Sequence, residues 1–462
     1  MNSMKIAVLG LGYVGLVTAL CFASKHGFEV VGVDVDELKV SKLRKCEAPV
    51  YEPGLGDLLE ESLGKNFRPT TDFAETRGSK VVFITVGTPP RGDGSPNLAY
   101  VEEAARYLGA ALKETTEKAV VAVKSTVPPG TARNIVGPAV GSSLGKPLGA
   151  GFGLASNPEF LAEGSAVEDM LHPDRVVVGA YDSYSRRVMR ALYEEFYGKE
   201  LGGAPYLETS LENAELVKYA NNAFLSLKVS FINELSRICE STLNTDVDVV
   251  AKGIGFDKRI GQYFLRAGPG WGGSCFGKDV SALIRHSERV GAGELKVLRA
   301  NLASNEAQKV HVVELLEKEL GGLGHKKVAV LGLAFKAETD DARDSQAATV
   351  IAELLKRGAT VRAYDPMATR NFVNIYGLNA DYCESAEACV EGCDATLVLT
   401  DWEEFRRLKP AFFEDKMQGG VLLDARRIYR GEAWAAGSKL RYVALGVNPQ
   451  LGFMEDSSES KE

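Results

Sequence analysis

A chain of 462 residues has room for two or three domains, and its 45% hydrophobic and 25% charged residues are those of an ordinary globular protein. A net charge of −8 argues against a nucleic-acid partner, because binding a phosphate backbone needs a basic surface. The seven Cys are odd in number and scattered, which argues against a disulfide framework and fits free thiols in a reducing compartment. No leader pattern precedes the first apolar run, and no apolar stretch nears the roughly 20 residues that cross a bilayer. The expectation is a cytoplasmic protein with no membrane partner.

In chain order, residues 5–10 make a short aliphatic run ending in Gly10, followed by a helical stretch and a second run, 29–34, ending in Asp34. Runs 80–86 and 119–124 come next. The pattern returns near the other end. Run 326–332 ends in Gly332, run 360–365 ends in Asp365, and runs 394–400 and 420–424 complete the set. Continuous apolar strands alternating with helices predict parallel sheets covered on both faces. The fold class expected is therefore α/β, with two doubly wound parallel-sheet domains joined by a central helical region. In that region Val217, Ala220, Phe224, Leu227, Phe231, Leu235 and Ile238 recur at three and four residues. Leu225, Val229 and Ile232 add a second apolar face. A helix apolar nearly all round is expected to be buried, joining the domains or forming a subunit interface. The division predicted is 1–205, 206–320 and 321–450, with a disordered tail over 451–462.

Gly10-Leu11-Gly12-Tyr13-Val14-Gly15 is a complete G-x-G-x-x-G between a strand and a helix, the Rossmann-like context this pattern needs. Gly10 makes the tight turn, Gly12 lets a pyrophosphate approach the backbone, and Gly15 lets helix and strand pack. Free amides at the helix start face the phosphates. Asp34 ends the next strand at about the ~20-residue spacing of a ribose-binding acid. An acid there repels a 2′-phosphate, so NAD is the cofactor expected, rather than NADP.

Residues 268–279 carry a second concentration of chemistry. Gly268-Pro269-Gly270-Trp271-Gly272-Gly273 makes a shaped loop, and Cys275 follows, close to Lys278 and Asp279. A nearby cation raises the thiolate fraction of a Cys, and amides around it can hold an oxyanion. By composition alone a buried structural Cys fits equally well. No metal site is expected: Cys389 and Cys393 are four apart, without further Cys or His at ligand spacing.

The segment 268–279 resembles the G-x-G-x-G-G-S-C-F-P-K-D signature of the UDP-glucose/GDP-mannose dehydrogenase family. Further similarity runs along nearly the whole chain: 51–55, 86–89, 125–131, 157–164, 173–179, 215–222, 231–234, 253–261, 332–336, 339–343 and 364–366. The resemblance implies oxidation of the C6 alcohol of UDP-glucose by two hydride transfers to NAD, with Cys275 as the nucleophile. It implies that Lys218 and Asn222, four apart and so on one helical face, stabilise oxyanion charge. Asp279 would hold a water or act as base, Glu159 would position the attacking water, and Thr126 would orient water or cofactor. To the cofactor contacts it adds Tyr13, Val14, Lys39, Thr85, Thr88, Glu163, Lys278 and Arg343. For the substrate it implies Glu159, Phe160, Leu161, Lys218, Asn222, Phe264, Gly272, Phe335, Lys336 and Arg426, with Arg259 reaching the sugar across a homodimer interface.

Three departures stand out. Gly277 replaces a usual Pro, which would loosen the loop after Cys275. Gln346 follows Ser345 where Pro is common, and Arg427 replaces a common Asn. Competing readings are a sister enzyme for GDP-mannose or a UDP-N-acetyl sugar, a two-electron hydroxy-acid dehydrogenase, and a non-catalytic nucleotide sensor. Ser274 before Cys275 favours UDP-glucose, since the N-acetylmannosamine enzymes usually have His there. The Cys loop argues against the hydroxy-acid reading.

Overall fold

The structure, a computed structural model, describes residues 3–429, 432–435 and 437–448. The expected tail over 451–462 lies outside them. The chain forms two compact units, Met1–Asn221 with Ser281–Ala292, and Asn222–Val280 with Gly293–Glu462.

The first unit is built on eight strands: β1 (Met4–Leu9), β2 (Phe28–Val33), β3 (Phe67–Thr70), β4 (Val81–Ile84), β5 (Val120–Val123), β6 (Gly153–Ser156), β7 (Val176–Ala180) and β8 (Tyr206–Thr209). Their order is β3-β2-β1-β4-β5-β6-β7-β8, parallel except for the antiparallel β6–β7 pair. Both faces are covered, which is why β4 and β5 are apolar at every position. Alternate side chains serve opposite cores. Val81 and Phe83 join Phe22, Phe28 and Phe196 on one side, while Val82 and Ile84 join Val101, Leu108 and Val136 on the other. The order reverses between β1 and β4, and crevices at such reversals are where open α/β sheets take ligands.

The second unit repeats the plan with β9 (Lys327–Leu331), β10 (Thr360–Tyr364), β11 (Asp381–Tyr382), β12 (Ala395–Val398), β13 (Val421–Asp424) and β14 (Arg441–Ala444). All six are parallel, in the order β11-β10-β9-β12-β13-β14. The α/β class with two doubly wound sheets and a helical region between them in sequence is thus what the chain adopts.

Within the chain, the long helix Leu211–Ser241 turns its apolar stripe outward, the outcome the subunit-interface alternative allows. Phe224, Phe231 and Ile238, expected on the buried face, are exposed. The buried positions include Ser226, Ser230, Asn233 and Ser236. A periodicity of apolar residues marks a face, but only the neighbours decide which face turns inward. Here the inward face is polar because it meets polar partners: Asn301 on the helix Lys296–Leu320 donates to Ser226 Oγ at 2.8 Å. Buried polar groups are tolerated when they are paired in this way.

Candidate functional site

In the first unit, Gly10 turns the chain off β1 with φ +94°, a conformation that favours glycine. Gly15 packs so closely that a Cβ would sit 1.8 Å from Gly10 O and 2.6 Å from Thr85 Oγ1. Thr85 Oγ1 in turn donates to Leu9 O and Gly10 O at 2.8 Å, bracing the turn. A Cβ on Gly12 would meet open space, and the helix Tyr13–Ala23 that begins beyond it carries no side-chain cap. Its first amides are therefore presented for a phosphate. Asp34 Oδ2 accepts from Leu11 N and from Lys39 Nζ, both at 2.7 Å, which joins two of the predicted cofactor residues in one ion pair. Thr88 Oγ1 donates to the carbonyl of Thr126 at 2.9 Å, linking two more. The Tyr13 hydroxyl donates to Glu52, whose carboxylate also accepts from Gly164 N and Ala166 N. Burial and the Glu52 charge raise the Tyr13 phenol, so it stays a neutral donor. Glu163 contributes charge to the same phenol. Val14 opens the helix beside Tyr13.

The same unit holds a buried ion pair. Glu159 follows β6, Lys218 lies on the long helix, and their Oε1 and Nζ are 3.0 Å apart with side chains 8% and 5% exposed. Glu159 Oε2 accepts from Leu161 N at 2.6 Å. Burial alone would raise the Glu159 carboxyl, but the Lys218 charge and these hydrogen bonds bring it below its ordinary range. Phe160 lies against two cations, with the Arg175 guanidinium 3.8 Å and Lys218 Nζ 5.5 Å from the ring centroid.

In the second unit, the Gly-rich segment is held from every side by polar groups. Asn233 Oδ1 accepts from Gly268 N at 2.8 Å, and Gln308 Nε2 donates to Gly268 O at 3.0 Å. Asn305 takes both backbone groups of Trp271, accepting from its N at 2.8 Å and donating to its O at 3.0 Å. The Trp271 indole donates to Ser230 Oγ at 2.9 Å. Gln346 Nε2 donates to Gly270 O at 2.8 Å, so the residue found in place of a usual Pro is one of the clamps. Asn233, Asn305 and Gln308 were missed by sequence reasoning, because polar residues on helices read as surface. For Asn233 the one available signal was the regular spacing of Ser226, Ser230, Asn233 and Ser236 opposite the exposed apolar stripe of the long helix. Asn305→Leu is expected to leave two Trp271 backbone groups unpaired, at about 1–3 kcal/mol each. A calorimetric melt checks this, and a fall in turnover should accompany it.

Cys275 lies in the first turn of the helix Gly273–Arg289, which corrects the reading of its surroundings as a loop. Gly277 is inside that helix, so the absence of Pro there does not loosen a loop. A Cβ at 277 would come 2.8 Å from Asp344 Oδ2, the far end of a half-exposed side chain that can turn aside. Cβ atoms on Gly272 and Gly273 would strike Asp344 O at 2.1 Å and the Phe335 ring at 2.7 Å. The Cys275 side chain is exposed, with Sγ 3.6 Å from Ser274 Oγ. Asp279, one turn on, is fully buried. It accepts from Asn222 Nδ2 at 2.7 Å and from Lys278 Nζ at 2.5 Å. Asn222, Lys278 and Asp279 are therefore one network, on the helix that carries the thiol and on the long helix.

Other predicted residues of this unit are occupied by local partners. Arg426 donates to Leu399 O at 2.7 Å and to Phe335 O at 3.1 Å. Arg343 is gripped by the Asp341 carboxylate, and Arg259 by that of Asp257, the latter on an exposed segment. Lys336 follows Phe335 in the turn after β9, and Phe264 adopts φ +63° with its ring edge toward Phe276. Arg427 also has a positive φ, 54°, where the Asn it replaces fits more easily. Bonds to Asp246, Asp248 and Leu445 O hold it there. In the copy of the nucleotide turn, Asp365 Oδ2 is taken up by Leu333 N, Ala334 N and the Trp402 indole.

Comparison with known proteins follows this geometry. Three models of the UDP-glucose/GDP-mannose dehydrogenase family match the chain: its NAD binding domain over residues 4–197, its central domain over 212–307 and its UDP binding domain over 329–431. The chain is 41% identical over 425 residues to the UDP-glucose 6-dehydrogenase AglM of Haloferax volcanii, covering 92% of this chain and 97% of that one. It is 41% identical over 456 residues to a UDP-glucose 6-dehydrogenase of Rhizobium meliloti, covering 96% and 99%. A solved UDP-glucose dehydrogenase from Pyrobaculum islandicum superposes with a TM-score of 0.86 at 40% identity, covering 96% and 98%. A UDP-N-acetylmannosamine dehydrogenase from Pyrococcus horikoshii gives 0.82 at 27% identity, covering 96% and 99%.

Proposed function

The chain belongs to the UDP-glucose/GDP-mannose dehydrogenase family and is an NAD-dependent oxidoreductase, and on that premise we propose that it oxidises UDP-glucose to UDP-glucuronate through a thioester on Cys275. The observation that carries the proposal is the exposed thiol on the first helical turn, beyond a Gly-rich segment immobilised by buried amides. A helix N-terminus favours a thiolate. Relatives near 40% identity are UDP-glucose enzymes, while the N-acetyl-sugar enzyme stands at 27%, which supports glucose as the sugar.

Gly10, Gly12, Gly15 and Asp34 are the residues that would hold NAD, which would supply an acceptor for one hydride in each of two oxidations. The chain's own groups do the rest. Lys218 and Asn222 donate to the alkoxide of the C6 alcohol as it loses its proton and hydride. The Cys275 thiolate adds to the resulting aldehyde, giving a thiohemiacetal whose oxyanion the same donors steady. Loss of the second hydride leaves a thioester. Water, positioned by Glu159 or Asp279 with Thr126, adds to it, and the thiolate leaves. In sum, alcohol, two NAD and water give carboxylate, two NADH and three protons.

In this reading residues 1–205 bind the cofactor, 206–320 bear the nucleophile and 321–450 take the UDP moiety through Phe335, Lys336 and Arg426. Phe160, Leu161, Phe264, Gly272 and Arg259 complete the sugar contacts, and Lys39, Thr85, Thr88, Glu163, Lys278 and Arg343 the cofactor contacts. Among the described residues no helix is long and apolar enough to cross a membrane. A cytoplasmic location belongs to the same proposal. So does a homodimer through the exposed Phe224, Phe231 and Ile238 of the long helix. Light scattering should give twice the chain mass at micromolar concentration, and Phe231→Asp should halve it. The function itself is tested by counting NADH per UDP-glucose consumed. Two supports the proposal, and none, with NADH from GDP-mannose or an N-acetyl sugar instead, redirects it.

A further inference from the structure

Lys124 extends β5 at the end of an all-apolar strand and is 3% exposed. Its ammonium is held by a neutral group, Asn157 Oδ1, at 3.2 Å. That amide is itself fixed. Asn157 Nδ2 donates to Val177 O at 2.9 Å, and the Tyr193 hydroxyl donates to Asn157 Oδ1 at 2.5 Å. Asn157 is two residues before Glu159, and Lys124 and Glu159 line one pocket of the first unit. The buried group thus pairs Glu159 with Lys218 and adds Lys124 in the same pocket, an arrangement with a surplus positive charge. A buried cation is costly without a partner, so a second lysine beside an already paired Glu159 needs a reason.

The reaction supplies one. A Lys218 that turns to an alkoxide must leave Glu159, and a buried carboxylate left with no cation near it would take up a proton. We infer that Lys124 is a positioning residue for the proposed reaction, the standing counter-ion of Glu159 that keeps this carboxylate ionised while Lys218 serves the substrate. The inference rests on the reading of Glu159 and Lys218 as reacting groups. Consistent with it, the Lys124 charge helps to hold Glu159 low, second to Lys218 among the cations. Burial lowers Lys124 to about 8 against the pull of Glu159, so it stays charged through neutral pH.

The other titratable groups of the pocket do not take this part. His172 and Asp174 have side chains 73% and 95% exposed. Arg175 is bonded to Asn221 Oδ1 at 2.7 Å and stacked on Phe160. Asp169 accepts from Ala162 N and Ser165 Oγ. Tyr193 and Tyr197 are raised by burial and remain neutral.

The test compares full-length wild type with Lys124→Met and Lys124→Arg. One readout is the ionisation of Glu159 in substrate-free protein, taken as the carboxylate infrared band that Glu159→Gln lacks. The other is the acid limb of kcat for NADH formation from UDP-glucose. Lys124→Met should move both upward by about one pH unit, and Lys124→Arg should return both to the wild-type position. Titrations of Lys124→Met that coincide with wild type overturn the inference, even if activity falls, because that pattern marks a merely structural lysine. Should the Met variant not fold, Lys124→Gln carries the same comparison. A wild-type protein inert toward UDP-glucose would refute the reaction, while the infrared titration would still decide the role of Lys124.

Discussion

Cys275→Ala is expected to abolish formation of the acid, with loss of roughly 10⁴-fold or more in NADH production, the scale on which removal of a covalent nucleophile is felt. The fold should be untouched. The side chain is exposed, with Sγ 3.6 Å from Ser274 Oγ, so stability should stay within about 0.5 kcal/mol of wild type. The two oxidations separate here. The first needs no thiol and can release aldehyde slowly, at no more than one NADH per sugar. The second needs the thiohemiacetal. A Cys275→Ala protein that still yields two NADH per UDP-glucose would remove the thioester from the mechanism.

Lys218→Met carries the largest combined effect. Loss of an oxyanion donor should lower kcat by about 10²–10³-fold. Loss of the Glu159 partner should destabilise as well, since removing one member of a buried pair costs about 3–5 kcal/mol. For a unit of this size that is a melting temperature lower by roughly 10 °C. The pH dependence has a definite sign. Glu159 is below its ordinary value of 4.5 in the folded protein. Its contribution is therefore complete above that value and is lost as pH falls through the lower, folded one. In the variant, burial is opposed only by the Lys124 charge and the Leu161 amide, and the carboxyl moves up from its wild-type position. The gap between wild type and Lys218→Met should therefore narrow as pH falls, from the variant's raised carboxyl down through the lowered wild-type one. Calorimetric melts at neutral and acid pH check this, and a gap that widens toward acid would contradict the pairing. The double variant Glu159→Gln/Lys218→Met should recover part of the stability and none of the activity.

Much of the first nucleotide turn was legible before any coordinates. Gly10, Gly12, Gly15 and Asp34 work through backbone conformation, close approach and chain spacing, which are local properties written at fixed offsets. The strands were legible for the same kind of reason, since a doubly covered parallel sheet demands unbroken apolar runs such as 81–84 and 120–123.

Within the chain the long helix turns its apolar stripe outward, which the sequence left open because periodicity reports two faces without saying which one meets a neighbour in the same chain. Its Ser and Asn positions turn inward only because Asn301, Trp271 and the Gly268 backbone wait there. The clamps Asn305, Gln308 and Gln346 are 34, 40 and 76 residues from the loop atoms they hold.

Sequence by itself determined the fold class and the family and named the candidate reactive groups, because these follow from local pattern and residue chemistry. Only the tertiary structure decided which residues brace them: Lys124 in one pocket with Glu159, Asn222 on Asp279, Gln346 on Gly270. Pairing across tens of residues depends on burial and distance, and neither has a signature within a short window of chain.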